Sequence, residues 1–253
     1  MMKNKIKAII LAAGRGSRMG ESTEALPKCL LRLYGKPLLE WQTEALRAAG
    51  IDPISIVTGY KQETLAFPGF KFFHNPRWQE THMVSSLCRA SQWLERDTCV
   101  VSYSDIVYSA DTVTRLLNAE GDIVISYDSQ WLRLWRARFE DPLKDAETFR
   151  LDEQGRMLEI GGKTRNLEDI QGQYMGLLKF TPKGWADTRD YLSSLPEPEV
   201  DRLDMTSLLA HLLKQNITVR AVPIRHRWYE VDTGSDLKIY EAQISGRAGN
   251  LWE

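Results

Sequence analysis

The feature that most constrains this chain is an alternation of short apolar runs and amphipathic stretches, repeated without a long interruption from the N-terminus to residue 127. Ile6 to Leu11 is an apolar run, interrupted only by Lys7 at its start, and ends in a glycine-rich turn, the pattern of a central strand buried on both faces. In the segment that follows, Leu38, Leu39, Ala45, Leu46 and Ala49 fall on one helical stripe, with Pro37 near its start and Gly50 just past its end. Strands are expected at Ile54 to Thr58, 71–75, Thr98 to Tyr103 and Asp122 to Tyr127. Helices are expected near 61–66, from Met83 to Leu94 and from Asp111 to Asn118. Strands and helices alternating over short connections build βαβ units. The expected fold class is therefore α/β, with a Rossmann-like mixed, mostly parallel sheet flanked by helices.

Beyond residue 127 the pattern loosens. Residues 129–148 are rich in Trp, Arg and Asp and fit no clean period. Two short strands are expected around the turn Asp152 to Gly155, then a strand over 172–180 and a helix capped by Thr181 that reaches about Ser194. A helix over 204–216 stopped by Asn216, a strand over 218–224 and a closing helix from Ser235 complete the reading. No linker or internal repeat divides the 253 residues, a length that suits one large α/β domain.

Lys plus Arg total 33 against 34 Asp plus Glu, so no basic excess points to nucleic acid, and any anion site must be built locally. The three cysteines, Cys29, Cys88 and Cys99, show no paired spacing and read as reduced, buried thiols of a cytoplasmic protein. The opening apolar run is too short and too glycine-punctuated for a signal peptide or a membrane span. Trp252, in the terminal NLWE, is the one hint of a homodimer contact.

The strongest chemical signal is LAAGRGSRMGESTEALPKCL, residues 11–30. Gly14 and Gly16 leave the strand end without side chains, so backbone N–H groups can close around a triphosphate. Arg18 and Lys28 add positive charge, and Pro27 stiffens the segment that presents Lys28. This is not a P-loop, because Gly-Lys-Ser/Thr is missing, and Met19 sits where a dinucleotide fingerprint needs its third glycine. Asp105 ends the fourth strand, where ligands of open α/β sheets collect, although a strand-end Asp by itself reads as readily as a turn residue. Asp232, before the closing helix, could serve as its cap, a task open equally to Thr233 or Ser235. Around Trp131 and Trp135 lie Arg133, Arg136 and Arg138. Indole faces attract alkylammonium groups and arginines recognise carboxylate or phosphate, but the same residues also suit a core and a solvated surface. The four histidines show no metal spacing, and no nucleophile elbow stands out.

Taken together, Ala12-Ala13-Gly14, Gly16 to Met19 and Pro27-Lys28 resemble the signature of the nucleoside-diphosphate-sugar pyrophosphorylase superfamily. That superfamily includes sugar-1-phosphate nucleotidyltransferases and phosphocholine cytidylyltransferases. The resemblance covers most of the chain and implies the nucleotide-diphospho-sugar transferase fold. It further implies a nucleotide-binding half (1–127) and an acceptor-facing, metal-completing half (128–253). By resemblance, Leu11, Ala12, Ala13, Gly14, Gly16 and Ser17 hold the nucleotide, with Lys28 and Arg18 as the catalytic cations. Ser85 and Ser86 match the polar end of the cytidylyl pattern, whereas His82 stands where Asn is more usual. Asp105 and Asp232 would bind magnesium, with Glu230 and Asp204 as alternatives. Lys163 resembles the lysine that grips the acceptor phosphate, in company with Trp131, Trp135, Arg133, Arg136 and Tyr174.

Within the superfamily the chain looks closest to phosphocholine cytidylyltransferase-like enzymes and to relatives acting on aminoethylphosphonate or phosphoglutamine. This makes CTP the expected donor and a small phosphorylated molecule the expected acceptor. The setting would be cell-surface polysaccharide or phosphonate biosynthesis. Two other readings stand beside it: a sugar-1-phosphate nucleotidyltransferase using UTP, GTP or dTTP, and a nucleotide-sensing subunit without catalysis.

Overall fold

The computed structural model describes residues 5–65 and 67–244, apart from the side chains of residues 21, 22, 243 and 244; Trp252 lies outside the described residues. Seven strands form the central sheet: β1 (Ile6–Ala12), β2 (Ile54–Thr58), β3 (Lys71–His74), β4 (Thr98–Tyr103), β5 (Ile123–Asp128), β6 (Gln173–Phe180) and β7 (Arg220–Pro223). Their order across the sheet is β7-β5-β6-β4-β1-β2-β3. β1 runs parallel to β2 and β4, β2 is parallel to β3, and β7 is parallel to β5. β6 is antiparallel to both β4 and β5, so it alone is reversed. The sheet is therefore mixed and mostly parallel, as the alternation requires.

Alternation along β1 divides two cores. Ile9 and Leu11 face a layer built by Val84 and Leu87, Trp185 and Leu192, and Leu208, Leu209 and Leu212. Ala8, Ile10 and Ala12 face the opposite layer, with Leu39, Ala45, Leu46, Val113 and Leu116. The helices that supply these faces are α1 (Leu38–Ala48), α2 (Met83–Cys88), α3 (Ala110–Asn118), α4 (Trp131–Arg138), α5 (Pro182–Ser193) and α6 (Met205–Lys214); α7 (Gly234–Ile244) closes the described chain. Thr181 caps α5 by accepting from the Gly184 amide, and Asn216 follows α6 in the left-handed region, which ends that helix.

Three local expectations change. The segment near 61–66 is a 3₁₀ turn, Gln62–Leu65, too short to close α-helical bonds. The run from Met83 to Leu94 breaks, because Ala90 leaves helical geometry and the Ser91 hydroxyl donates to the Cys88 carbonyl; a separate turn, Ser91–Leu94, follows. The unpatterned 129–148 stretch contains α4, whose two indoles four residues apart are buried on one side.

A third, smaller cluster positions the site. Met19, Leu33, Leu38, Val107, Tyr229, Val231 and Tyr240 pack together, joining the opening loop to a segment more than 200 residues away. A two-residue antiparallel ribbon pairs Val107 with Tyr229 and Ile106 with Glu230, and the Val231 amide donates to the Asp105 carbonyl at 2.9 Å. Gln42 of α1, fully buried, donates to the Ile106 carbonyl at 2.6 Å and holds the ribbon from below. Gln42→Leu leaves that carbonyl without its donor, and the expected loss is about 1–3 kcal/mol, read as a lowered urea midpoint at unchanged slope.

Candidate active site

All strands but β6 share one direction, so the carboxyl ends of β1, β2, β3, β4 and β5 lie along one edge of the sheet. The chain runs from β1 outward through β2 and β3 on one flank and then crosses back to β4 on the other side of β1, and this reversal of strand order opens a crevice at that edge. A cavity of about 280 Å³ occupies it, lined by Leu11, Ala13, Gly14, Gly16, Arg18 and Lys28 from the opening loop, by Trp78, Thr81, His82, Met83 and Ser86, and by Tyr103 to Asp105.

The loop is shaped by two glycines and one tyrosine. Gly16 has φ +69°, and a methyl group on it would sit 3.0 Å from the Lys28 Cδ, so this position suits glycine on both counts. Gly59, just after β2, would drive a Cβ to 2.6 Å from both the Ala13 carbonyl and the Trp78 side chain; its bareness lets the indole close over the loop. Tyr60 pins the loop at both ends: its amide donates to the Ala13 carbonyl, and its hydroxyl lies within donating reach of the Thr23 and Glu24 carbonyls.

At the centre Lys28, only 7% exposed, donates from Nζ to Asp105 Oδ2 and to Asp232 Oδ1, each at 2.7 Å. The other Asp232 oxygen lies 3.0 Å from Arg18 and 3.7 Å from Arg138. Burial opposes the charge on Lys28, but the two carboxylates outweigh it and hold the ammonium above its ordinary 10.5. Burial likewise opposes ionisation of Asp232, yet Lys28, Arg18 and Arg138 hold it below 3.8. Asp105 Oδ1 is buried and has no hydrogen-bond partner among the described residues. Burial pushes Glu230 up to about 7 against the pull of Arg138. The helix cap that might have occupied Asp232 is made instead by Asp236, whose Oδ2 accepts from the amides of Asp232 and Thr233.

Of the residues singled out from sequence, Leu11, Ala13, Gly14, Gly16, Arg18, Lys28, Ser86 and Asp105 share the cavity, and Asp232 joins it through Lys28. Ala12 points into the opposite core, and Ser17 opens the 3₁₀ turn Ser17–Thr23. Ser85 donates to Asp201 at 3.1 Å, away from the lining. Trp131 and Trp135 are buried, their indoles donating to the Ile170 carbonyl and to Asp145, while Arg133 and Arg136 are exposed. Lys163 lies in a separate open pocket with Asp141, Lys144 and Arg165. Tyr174 stands edge-on to Tyr103, centroids 5.8 Å apart, at the start of β6. Asp204 caps α6 through the Ser207 amide.

Three residues near the cavity were not picked out for this place. Asn75, fully buried, donates to Thr81 Oγ1 at 2.9 Å and Ser86 Oγ at 3.0 Å and so fixes two hydroxyls of the wall; an Asn-Pro pair directly after a strand was its only trace in the sequence. Trp78 forms the wall opposite the loop, and no periodicity marks it. Arg138, grouped by sequence with its neighbouring arginines, instead lies beneath Asp232.

Two outcomes follow from this geometry. Gly59→Ala forces the Ala13 carbonyl and Trp78 apart, and we expect about 1–3 kcal/mol of destabilisation, measured by thermal melts. Asp232 is more acidic folded than unfolded, so its contribution is complete above pH 3.8 and is lost as pH falls through the folded value. Lys28 is the reverse case: its contribution is complete below 10.5 and is lost as pH rises through the higher folded value. The stability gap between wild type and Asp232→Asn, about 1–3 kcal/mol, should hold across neutral pH and narrow on acidification below 3.8. A gap that stays constant into strong acid would contradict the pairing.

Residues 8–164 match the family model described as the MobA-like NTP transferase domain. A CTP:phosphoglutamine cytidylyltransferase from Campylobacter jejuni is 34% identical over 250 residues, covering 92% of this chain and 98% of the relative. The inositol-1-phosphate CTP transferase of T. maritima superposes with a TM-score of 0.75 at 17% identity, covering 98% of this chain and all of that one. A CTP:phosphocholine cytidylyltransferase from Streptococcus pneumoniae superposes at 0.69 with 20% identity, covering 95% of this chain and 99% of that one. These last two establish likeness of fold alone, the nucleotidyltransferase fold that the opening motif implied. The match over residues 8–164 and the 34% identity to the first relative place the chain: it belongs to the MobA-like NTP transferase family.

Proposed function

We propose that this protein is a magnesium-dependent cytidylyltransferase that moves CMP from CTP to a small phosphorylated acceptor and releases pyrophosphate. The observation that carries the reading is the Lys28 ammonium held at 2.7 Å from two converging carboxylates, in the lining of a cavity edged by Gly14 and Gly16. Similarity to a phosphoglutamine cytidylyltransferase over nearly its whole length supports CTP as donor and makes phosphoglutamine the first acceptor to test. Aminoethylphosphonate and phosphocholine follow, since cytidylyltransferases for both are also similar to this chain.

Each residue then has a task. Backbone amides of the Ala13 to Ser17 stretch receive phosphate oxygens, with Leu11 and Ala12 as the strand end behind them. Lys28 and Arg18 offset charge that develops on the triphosphate. Ser86, aligned by Asn75, forms the nucleoside side of the wall, and the neighbouring Ser85 supports it from behind through its bond to Asp201. The residues fit a divalent cation: two carboxylates converge, and one oxygen of Asp105 is buried without a partner among the described residues. Asp105 and Asp232 would hold magnesium there, which supplies charge neutralisation between the two anionic substrates. The acceptor's phosphate oxygen is already anionic at neutral pH, so in-line attack on the α-phosphorus needs positioning and no general base.

On the acceptor side, residues 128–253 contribute Lys163 for the acceptor phosphate and Tyr174 beside Tyr103, with Arg133 and Arg136 at the surface. Trp131 and Trp135 serve that side by packing, since their indoles are closed by Ile170 and Asp145. The whole chain acts as one cytoplasmic domain in this reading, with 1–127 receiving the nucleotide. Among the described residues no helix is long and apolar enough to cross a membrane.

Pyrophosphate release from four NTPs against phosphoglutamine, phosphocholine, aminoethylphosphonate and common sugar phosphates, with and without magnesium, tests the proposal. Turnover is expected with CTP and one of the first three acceptors, only with the cation present. Lys28→Met should lower kcat by ~100- to 1000-fold. Turnover confined to a sugar phosphate, or a Lys28→Met enzyme near wild-type rate, would overturn it.

A further inference from the structure

Three cations converge on Asp232, and one of them, Arg138, is sealed from solvent with its side chain 2% exposed. We infer that Arg138 is a positioning residue: gripped by Asp236 and Glu230, it sets the Asp232 carboxylate and the turn that carries it for the divalent cation. The inference rests on the proposed reading of Asp105 and Asp232 as cation ligands.

The geometry is that of a fork closing on both sides of Asp232. Arg138 Nε donates to Asp236 Oδ1 at 3.0 Å, while the other oxygen of the same carboxylate accepts the amides of Asp232 at 2.9 Å and Thr233 at 2.7 Å. One carboxylate thus joins the guanidinium to the backbone of Asp232 itself. Nη1 donates to Glu230, the residue that pairs with Ile106 in the ribbon beside Asp105. Nη2 lies 3.7 Å from Asp232 Oδ2. The guanidinium also lies against the rings of Trp135 and Phe139, at 5.6 and 5.1 Å from their centroids, which restrict its movement.

A buried ion cluster of this kind adds little net stability over an apolar replacement, because desolvation offsets the attraction. What it does supply is orientation. Groups that stand behind a cation ligand and fix its direction strengthen binding without touching the ion. The cluster also gives the unpatterned 129–148 segment a task, since α4 carries Arg138 at its last position.

The test titrates Mn²⁺ calorimetrically into the full chain with CTP present and no acceptor, for wild type, Arg138→Lys and Glu230→Gln. Acceptor KM is then measured at saturating cation. Arg138→Lys keeps the charge but loses the fork, and its Mn²⁺ Kd should rise by ~10- to 100-fold while acceptor KM stays within about twofold of wild type. Glu230→Gln, which only loosens one anchor, should shift Kd in the same direction by less. Both variants folding with wild-type melting temperatures and binding Mn²⁺ like wild type would overturn the inference. So would loss of folding in both, which would make the cluster a structural strut. A wild type that takes up no Mn²⁺ would remove the cation reading itself and this inference with it, whereas wild-type binding matched by both variants removes only the role of Arg138.

Discussion

The site depends on one shared charge. Lys28 is separated from Asp105 by 77 positions and from Asp232 by 204, yet its ammonium sits 2.7 Å from each. Removing an ammonium from water costs several kcal/mol, of order 5, and here two carboxylates taken from water at the same place offset that cost. The three segments are placed together: withdrawing Lys28 leaves two carboxylates without their shared ammonium, and withdrawing either aspartate leaves the ammonium with one partner in place of two. The packing around the trio is correspondingly specific. Gly16 makes room for the lysine stem, Gln42 fixes the ribbon that carries Asp105, and the small cluster around Met19 and Tyr229 holds the far segment beneath the loop.

Much of this was legible where the signal is local. The strands up to residue 127 each carry their own apolar run, so their existence and their mostly parallel arrangement could be read directly. Gly14, Gly16, Lys28 and Asp105 were legible because a strand end, a glycine turn and a charged residue fall at short spacing. The reversal of β6 was not legible, since strand direction is set by where the connection crosses the sheet and leaves no mark on the strand. The break after Cys88 was hidden for a related reason: the apolar period continues through Ala90 while the backbone does not.

Residues whose work depends on distant partners were the ones missed or misplaced. Asn75 aligns the hydroxyls of Thr81, in the following turn, and of Ser86, in α2, and nothing in its neighbourhood distinguishes it from a turn residue. Arg138 alternates with two exposed arginines and looks like them. Its partners, Glu230 and Asp236, stand 92 and 98 positions away, so only the folded chain separates it from Arg133 and Arg136. An aromatic pair such as Trp131 and Trp135 reads equally as a ligand cage or a core. Burial of both indole N–H groups against Ile170 and Asp145 settles where these two rings lie.

The charges around Lys28 also bear on how a nucleotide could enter. Four carboxylates, Asp105, Glu230, Asp232 and Asp236, face three cations, Lys28, Arg18 and Arg138, so the cluster is near neutral and at most slightly acidic. Lys28 and Arg138 are enclosed by their partners, with side chains 8% and 2% exposed; only Arg18, at 70%, presents its charge freely to water. A triphosphate approaching alone would meet backbone dipoles, the Arg18 guanidinium and the already paired Lys28 ammonium on one side and two carboxylates on the other. Asp105 and Asp232, if they hold a divalent cation as proposed, would have part of their negative charge neutralised, and the unpartnered Asp105 oxygen is the atom free to take part. In the proposed reaction, then, the loop and the acids suit the nucleotide together with its cation better than the bare triphosphate, and the near-neutral floor of the cavity would make the cation matter for binding as well as for chemistry.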